Sequence, residues 1–216
     1  MENYLTVNET VDMLKYIGQQ IIDSKPFLTE IDSAIGDGDH GIGMEIGFKA
    51  AINELNNQEF QTVNQVFTET GKAMIMTMGG ASGVIFGTMF LSGFNKYQDV
   101  TELTIENLAD AFETSLEAIK KRGKAQLGDK TMVDGLTPAV ERLRDSANAN
   151  HTLLEGLANA AEGAKEGVEA TKGYLGRLGR AKSLGERAIG HQDAGATSVW
   201  IIFNAMHEWI QEYAVV

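Results

Sequence analysis

Three aspartates fall within eight residues of one short stretch, I-D-S-A-I-G-D-G-D-H-G. The carboxylates of Asp32, Asp37 and Asp39 repel one another at this spacing unless a cation or solvent lies between them. Glycines on both sides of Asp37 let the backbone turn tightly, and hard oxygen ligands on a flexible turn suit Mg²⁺. The stretch therefore predicts a magnesium site, with a solvated acidic loop as the alternative.

Two familiar motifs overlap this stretch, and neither fits. Gly36, Gly38 and Gly41 match the G-x-G-x-x-G pattern of dinucleotide-binding loops, but they follow a helical rather than a strand pattern, and acidic residues fill the gaps. A calcium-binding EF-hand loop counted from Asp37 would place Phe48 where a bidentate Glu is needed.

Two further glycine-rich stretches interrupt helical patterns. The sequence G-G-A-S-G at residues 79–83 precedes a helical pattern, where small residues let backbone N–H groups approach an anion. Close helix packing is the alternative explanation for these small residues. The sequence G-K-A-Q-L-G-D-K-T at residues 123–131 nearly matches a phosphate-binding P-loop. It is not predicted to be one, because Asp129 intrudes before Lys130 and no strand precedes it.

A fourth stretch, residues 172–195, concentrates positive charge in an acidic chain. It holds five of the 18 basic residues and then enters a turn, G-H-Q-D-A-G, before a helical pattern. An arginine here is suited to stabilise charge on a transferring phosphoryl group, although arginines of a solvated loop also pair with surface carboxylates. Carboxylates, glycine-lined helix starts and an arginine together are the groups that a metal–nucleotide site requires.

Two histidines lie beside these glycines and acids. His40 and His191 are interpreted as hydrogen-bonding or ligand-contact residues in preference to a phosphohistidine or a di-metal hydrolase site. Met132, directly after the third stretch, is a candidate border of a nucleobase pocket, although methionines usually fill helical cores.

The elements that must position these residues are predicted to be helices. Apolar residues recur at helical spacing through most of the chain, and only two prolines interrupt it. Asn8 is the expected N-cap of the first helix, and capping boxes are expected at Thr62 and Thr152. Pro138 predicts a kink or a late helix start. These patterns predict seven to nine helices and no strand. In an antiparallel bundle alternate breaks fall at one end, so the glycine-rich breaks are expected to form one composite site.

Composition excludes several classes of protein. The 216 residues carry a net charge of −12, which argues against a nucleic-acid binder, and they contain no cysteine, which excludes disulfides and thiolate chemistry. No apolar run approaches the roughly 20 residues of a membrane helix, and no secretory signal is visible. A cytoplasmic protein without a membrane association is expected.

The four stretches I-G-D-G-D-H-G, G-G-A-S-G, G-K-A-Q-L-G-D-K-T-M and L-G-E-R-A-I-G-H-Q-D-A-G-A-T-S resemble, in order, those of one family. The family is the ADP-binding L subunits of phosphotransferase-system-dependent dihydroxyacetone kinases. The resemblance implies one nucleotide-binding domain over residues 1–216. It also implies an all-α fold, a closed antiparallel barrel or bundle of about eight amphipathic helices with the nucleotide at one end.

The resemblance further implies the cofactors and the residues that hold them. Two Mg²⁺ ions would be ligated by Asp32, Asp37 and Asp39, and Arg180 would be the catalytic residue. The residues expected around ADP are His40, Gly41, Ile42, Gly43, Ala81, Ser82, Gly123, Met132, Arg180, Asp193, Ala194 and Gly195.

The implied reaction needs two partners. ADP would stay bound, be phosphorylated to ATP by a phosphohistidine carrier, the M subunit, and pass the phosphoryl group to dihydroxyacetone held on the K subunit. The length of 216 residues favours a separate subunit over the fused ATP-dependent kinases. An ADP-loaded regulatory module that binds a transcription regulator without turnover, and a purely structural bundle, are the alternatives.

The chain departs from the family pattern at two places. Residues 179–187 read G-R-A-K-S-L-G-E-R and lack the family's aromatic residue, and Ala194 stands where the family usually has proline. An upstream Y-L-G-R-L repeats part of the pattern, so Arg177 is the alternative to Arg180.

Overall fold

The computed structural model describes residues 3–96 and 99–214, and within these ranges the chain is almost entirely helical. The predicted all-α class is confirmed. The nine α-helices of the described ranges are α1 Val7–Asp23, α2 Lys25–Ile35, α3 His40–Asn57, α4 Val63–Thr77, α5 Gly80–Leu91, α6 Ile105–Gly123, α7 Met132–Asn148, α8 Leu153–Thr171 and α9 Ala194–Tyr213. Short 3₁₀ helices cover Phe94–Lys96 and Arg180–Ala188.

Threonines begin five of these helices. Thr6, Thr104, Thr131 and Thr152 cap α1, α6, α7 and α8, and each takes part in a complete capping box with the residue three positions on. The box predicted at Thr152 is therefore confirmed. Each box satisfies N–H groups that the first helical turn leaves without an intrahelical partner.

Two predicted helix starts differ in detail. Asn8 is not the N-cap of α1, because Thr6 caps it two residues earlier and pairs with Glu9. Thr62 caps α4 by accepting from the amide of Gln65, but the Gln65 side chain accepts from the amide of Gln61 and leaves the box incomplete.

A small two-stranded sheet is present where no strand is predicted from the sequence. β1 (Tyr4–Thr6) pairs antiparallel with β2 (Glu102–Thr104), so that Tyr4 faces Thr104. Strands of three residues are too short to show an alternating pattern. Each strand ends in the threonine that caps the following helix, and the pair joins the starts of α1 and α6.

The helices pack in a regular order around one apolar core. Consecutive helices from α3 to α9 contact one another, α1 contacts both α3 and α9, and α2 lies against α3 and α9. Phenylalanines fill much of the interior, including a stacked pair, Phe67 and Phe94, with ring centroids 3.7 Å apart. α5 departs from the expected amphipathic pattern, since its only polar side chains are Ser82 and Thr88.

Pro138 lies inside α7 instead of delaying it. The helix begins at Met132, so the late start was wrong. A proline at this position removes the N–H that would bond the carbonyl four residues before, at Asp134. α8 approaches at this point, because a Cβ at Gly167 would stand 2.1 Å from the Asp134 carbonyl oxygen.

Candidate functional site

The beginnings of four helices meet at one cleft of about 720 Å³. α3, α5, α7 and α9 each contribute their first residues to its wall, together with the loop after α2 and the segment before α9. The glycine-rich breaks, predicted to form one composite site, come together in this fold. Helix N-termini carry partial positive charge and unpaired N–H groups, so this end of the molecule favours an anion.

Three carboxylates stand at the rim of the same cleft. Asp32, Asp37 and Asp39 each offer an oxygen, and the three oxygens lie within 4.8 Å of one another. Asp32 is in the last turn of α2, and its carboxylate accepts from the amide of His40 at 3.2 Å. Gly36 makes this possible, because a Cβ there would lie 2.4 Å from Asp32 Oδ1. Three hard oxygen donors so close together fit a divalent ion such as Mg²⁺.

His40 joins three of the helices that form the cleft. Its Nε2 lies 2.8 Å from Ser198 Oγ, it makes a backbone hydrogen bond with Ala194, and its ring centroid is 5.8 Å from that of Phe86. Burial lowers the pKa of His40, although Asp32 and the Ala194 bond act in the opposite direction. A neutral imidazole held in this way positions α3 against α9, which favours the contact role over a phosphohistidine.

The N-terminus of α5 is open towards the cleft. Gly79 and Gly80 have positive φ angles of 68° and 60°, a conformation that side chains with a Cβ rarely adopt. Gly79 has no side chain to cap the helix, and Ala81 and Ser82 follow as exposed residues of the cleft wall. The first turn of α5 therefore presents backbone N–H groups to any ligand in the cleft.

Asp193 lies in the cleft wall directly before α9. Its Oδ2 accepts from the amide of Ala196 at 2.8 Å, which makes it the N-cap. Burial raises the pKa of Asp193 to about 7, with Asp134 adding to the rise and the Ala196 amide opposing it. Gly195 lets α9 approach α7 closely, because a Cβ there would lie 3.2 Å from the Cβ of Met132.

Among the expected metal and nucleotide residues whose side chains the structure describes, most line the cleft, and Gly41 and Gly123 do not. The expected residues in the wall are Asp32, Asp37, Asp39, His40, Ile42, Gly43, Ala81, Ser82, Met132, Asp193, Ala194 and Gly195. Gly41 faces α2 instead, where a Cβ would meet Thr29 Oγ1 at 2.5 Å. Gly123 ends α6 behind the wall, and the nearest side chain to its Cβ position is Ile85, which does line the cleft.

Not all basic side chains of residues 172–195 face the cleft. Lys172 pairs with Glu169, and the guanidinium of Arg177, 73% exposed, lies 3.7 Å from Asp129. Arg180 begins a 3₁₀ helix, and its neighbours Gly179 and Ala181 line the cleft. The side chain of Arg180 lies outside the part of the chain that the structure describes.

Two features of the wall escaped the sequence analysis. Apolar side chains of Ile46, Met78, Ile85 and Leu178 line the cleft beside its acidic rim. Lys130 belongs to the wall as well, although its side chain is only 1% exposed. Lysines are ordinarily solvated, so no pattern in a single sequence marks one as buried.

Fold and site together define a class: an all-helical protein whose cleft combines four helix N-termini with a cluster of carboxylates. Residues 34–208 match the DAK2 domain family, and the chain belongs to that family. It is 36% identical over 202 residues to the ADP-binding subunit DhaL of the PEP-dependent dihydroxyacetone kinase of Escherichia coli (strain K12), covering 94% of this chain and 96% of that one. It is 38% identical to a DhaL of Listeria innocua, with coverages of 89% and 91%.

Solved structures show the same architecture. The dihydroxyacetone kinase of C. freundii, in its native form, superposes with a TM-score of 0.73 at 25% identity. The match covers 92% of this chain and 34% of that one, so this chain spans about a third of that enzyme. The same enzyme in complex with AMP-PNP and Mg²⁺ superposes with a TM-score of 0.72.

Proposed function

We propose that this chain is the ADP-binding subunit of a phosphoenolpyruvate-dependent dihydroxyacetone kinase. The observation that carries the proposal is the meeting of three close carboxylates with four helix N-termini in one cleft. Near full-length similarity to subunits of that name supports it. In this proposal residues 1–216 are one domain. α1 and α3–α9 close into an antiparallel barrel, for which the order of helix contacts is the support.

The acidic rim is the proposed site of two Mg²⁺ ions. Asp32, Asp37 and Asp39 supply oxygen ligands only, which is the donor set that Mg²⁺ prefers. Magnesium bound there neutralises phosphate charge. The carboxylates also repel an uncomplexed nucleotide, so nucleotide retention depends on the metal.

The cleft wall divides the work of holding ADP. In this proposal the phosphates lie against the first turns of α3, α5 and α9, at His40 to Gly43, Ala81 to Ser82 and Asp193 to Gly195. The N–H groups that bind phosphate oxygens are those of these turns that do not already donate within the chain, as His40, Gly43 and Asp193 do. Met132 and the apolar side chains of the wall suit a nucleobase. Gly41 contributes by allowing α3 to pack closely against α2, and Gly123 lies behind the wall next to Ile85.

The proposed reaction moves one phosphoryl group twice. ADP held in the cleft would carry the group, as ATP, from a phosphohistidine carrier, the M subunit, to dihydroxyacetone on the K subunit. Arg180 is proposed to stabilise the charge of the transferring group, because residues on both sides of it line the cleft. Arg177 is the weaker candidate, since its guanidinium faces Asp129.

A reconstituted transfer assay tests the proposal. The purified protein is combined with phosphoenolpyruvate, the general phosphotransferase components, and the K and M subunits of a relative. Formation of dihydroxyacetone phosphate is measured. We expect turnover that needs all components, and ADP with Mg²⁺ in the supernatant after heat denaturation. Bound ADP without turnover would instead favour the regulatory module, and a protein free of nucleotide would contradict both.

A further inference from the structure

Lys130 is a buried cation that the proposed reaction leaves without a role. Its Nζ donates to the carbonyl oxygens of Thr171 and His191, each at 2.5 Å, and the side chain is 1% exposed. Asp134 and Asp193 supply the nearby negative charge. A buried ammonium is costly unless its donors are satisfied, so these two carbonyls are the partners that keep it in place.

The two carbonyls belong to the two ends of one segment. Thr171 ends α8, and His191 lies just before the N-cap of α9, so Lys130 bridges the neck of the loop between them, residues 172–193, called here the α8–α9 loop. A backbone bond from Gly190 to the Lys172 carbonyl, 2.7 Å, closes the same neck.

The turn before α7 that contains Lys130 contacts the α8–α9 loop at a third point. The amide of Arg177 donates to the carbonyl of Asp129 at 3.1 Å, and the two side chains face each other. The turn is itself fixed, because the Asp134 carboxylate accepts from the amides of Gly128 and Thr131. One rigid turn before α7 thus holds both ends and an inner residue of the loop.

We propose that Lys130 is a positioning residue. It holds the α8–α9 loop, which includes the backbone of Arg180, in a fixed position beside the cleft. This inference rests on the proposed function for the arginine, but the tie between Lys130 and the loop does not. α9 has its own support, since Asp193 caps it and the amide of Asp193 donates to Thr171 Oγ1. Loss of the lysine therefore frees the loop more than the nucleotide-binding start of α9.

The test compares Lys130→Met with Lys165→Met in the full chain. Lys165 is an exposed lysine of α8 that pairs only loosely with Glu162, so it controls for the loss of one charge. In Lys130→Met we expect amide hydrogen exchange in residues 172–193 to rise at least tenfold. We expect Mg·ADP affinity within threefold of wild type, and the transfer rate at saturating partners to fall at least tenfold. Lys165→Met is expected to match wild type throughout.

Several results would overturn the proposal. If amide hydrogen exchange in the loop is the same in Lys130→Met as in Lys165→Met, Lys130 does not hold the loop. If amide hydrogen exchange in the loop rises but the phosphoryl transfer rate does not change, Lys130 is a purely structural residue. A hundredfold loss of ADP affinity would mean direct contact with phosphate. A wild-type protein without turnover refutes the proposed function, while the exchange measurement still decides whether the tie exists.

Two further measurements cover the case in which Lys130→Met does not fold. Lys130→Gln removes the charge but keeps an NH₂ group that can donate to a carbonyl, and it is expected to give the same pattern in weaker form. In the wild-type protein, an amine-reactive reagent is expected to label Lys130 at least tenfold more slowly than Lys165. Equal labelling of the two lysines would contradict the buried tie.

Discussion

Asp37 is the carboxylate whose role is easiest to isolate at the scale of single residues. It belongs to the loop between α2 and α3, is exposed, and shares the acidic rim with Asp32 and Asp39. Replacing it with asparagine keeps the size of the side chain and removes one unit of negative charge. The change therefore affects a bound cation far more than it affects the fold.

We expect Asp37→Asn to lower Mg·ADP affinity by at least about 100-fold, equivalent to about 2.8 kcal/mol. Isothermal titration calorimetry at fixed Mg²⁺ measures this. Asp12→Asn, which removes an exposed carboxylate of α1 that lies away from the cleft, is the matched control. Normal ADP retention by the Asp37 variant would refute the metal assignment.

Asp193 predicts a pH dependence of stability in protein freed of metal and nucleotide. Its pKa rises from the ordinary 3.8 to about 7 on folding. Between these values the folded state keeps a proton that the unfolded state has lost, so the free energy of unfolding falls as pH rises. Asp193→Asn keeps a side chain that can cap α9 and removes this slope.

Urea unfolding at pH 5 and pH 7.5 with EDTA checks this. The loss of stability between the two pH values is expected to be larger in wild type than in Asp193→Asn, by on the order of 2 kcal/mol. The pKa of His40 is lowered by burial and gives the opposite slope below its ordinary value, so the comparison between the two proteins is the relevant quantity. Parallel profiles would contradict the burial of Asp193.

At the scale of elements, α8 is built for close contact with α7. A Cβ at Gly163 would lie 2.6 Å from the Pro138 carbonyl oxygen, and one at Gly167 would lie 2.1 Å from that of Asp134. The carbonyl of Asp134 lacks the bond from the N–H of residue 138, because that residue is proline. Backbone contact between α7 and α8 therefore fixes the position of the start of α7, at Thr131 and Met132, in the cleft wall.

Gly167→Ala is expected to destabilise the protein by about 1–3 kcal/mol, because the added methyl group pushes α8 from α7. Chemical unfolding measures this change. Gly173→Ala is the control, since its Cβ would meet Ala170 O at an ordinary 3.6 Å. We expect that variant to stay within about 0.5 kcal/mol of wild type. Equal stability of the two variants would show that α8 can move away without cost.

For the molecule as a whole, the cleft is a junction. Four helices that are spread along the chain, α3, α5, α7 and α9, begin at it. No helix of the described ranges is long and apolar enough to cross a membrane. A ligand that contacts α3, α5, α7 and α9 at once stabilises the folded state against complete unfolding, because the unfolded chain has no such cleft.

Mg·ADP at 100 times its Kd is therefore expected to add about 2.7 kcal/mol and to raise Tm by about 5–10 °C. Differential scanning calorimetry of nucleotide-free protein, with and without ligand, measures the shift. ADP with EDTA is the control and should shift Tm little, since the carboxylate rim repels the free diphosphate. An equal shift with EDTA would show that nucleotide binds without metal.

Features that depend on neighbours along the chain can be predicted from the sequence alone. The acidic loop, the glycine-rich helix starts, the Thr152 capping box and the all-helical class follow from short spacings, because residues within one or two turns are near each other in any fold. The three-residue strands and the start of α1 were missed or misplaced, since such short elements leave too few residues for a periodic signal.

Contacts between residues far apart in the chain are visible only in the folded protein. His40 reaches Ser198, 158 positions away, and Lys130 reaches carbonyls on both sides of the α8–α9 loop. The tertiary structure also turned Gly41 towards α2 and kept Gly123 behind the wall. Helix packing sets these contacts through the shapes of whole faces. The cost of burying the Lys130 charge is offset only by carbonyls that the folded chain brings together, so no local pattern in the sequence records them.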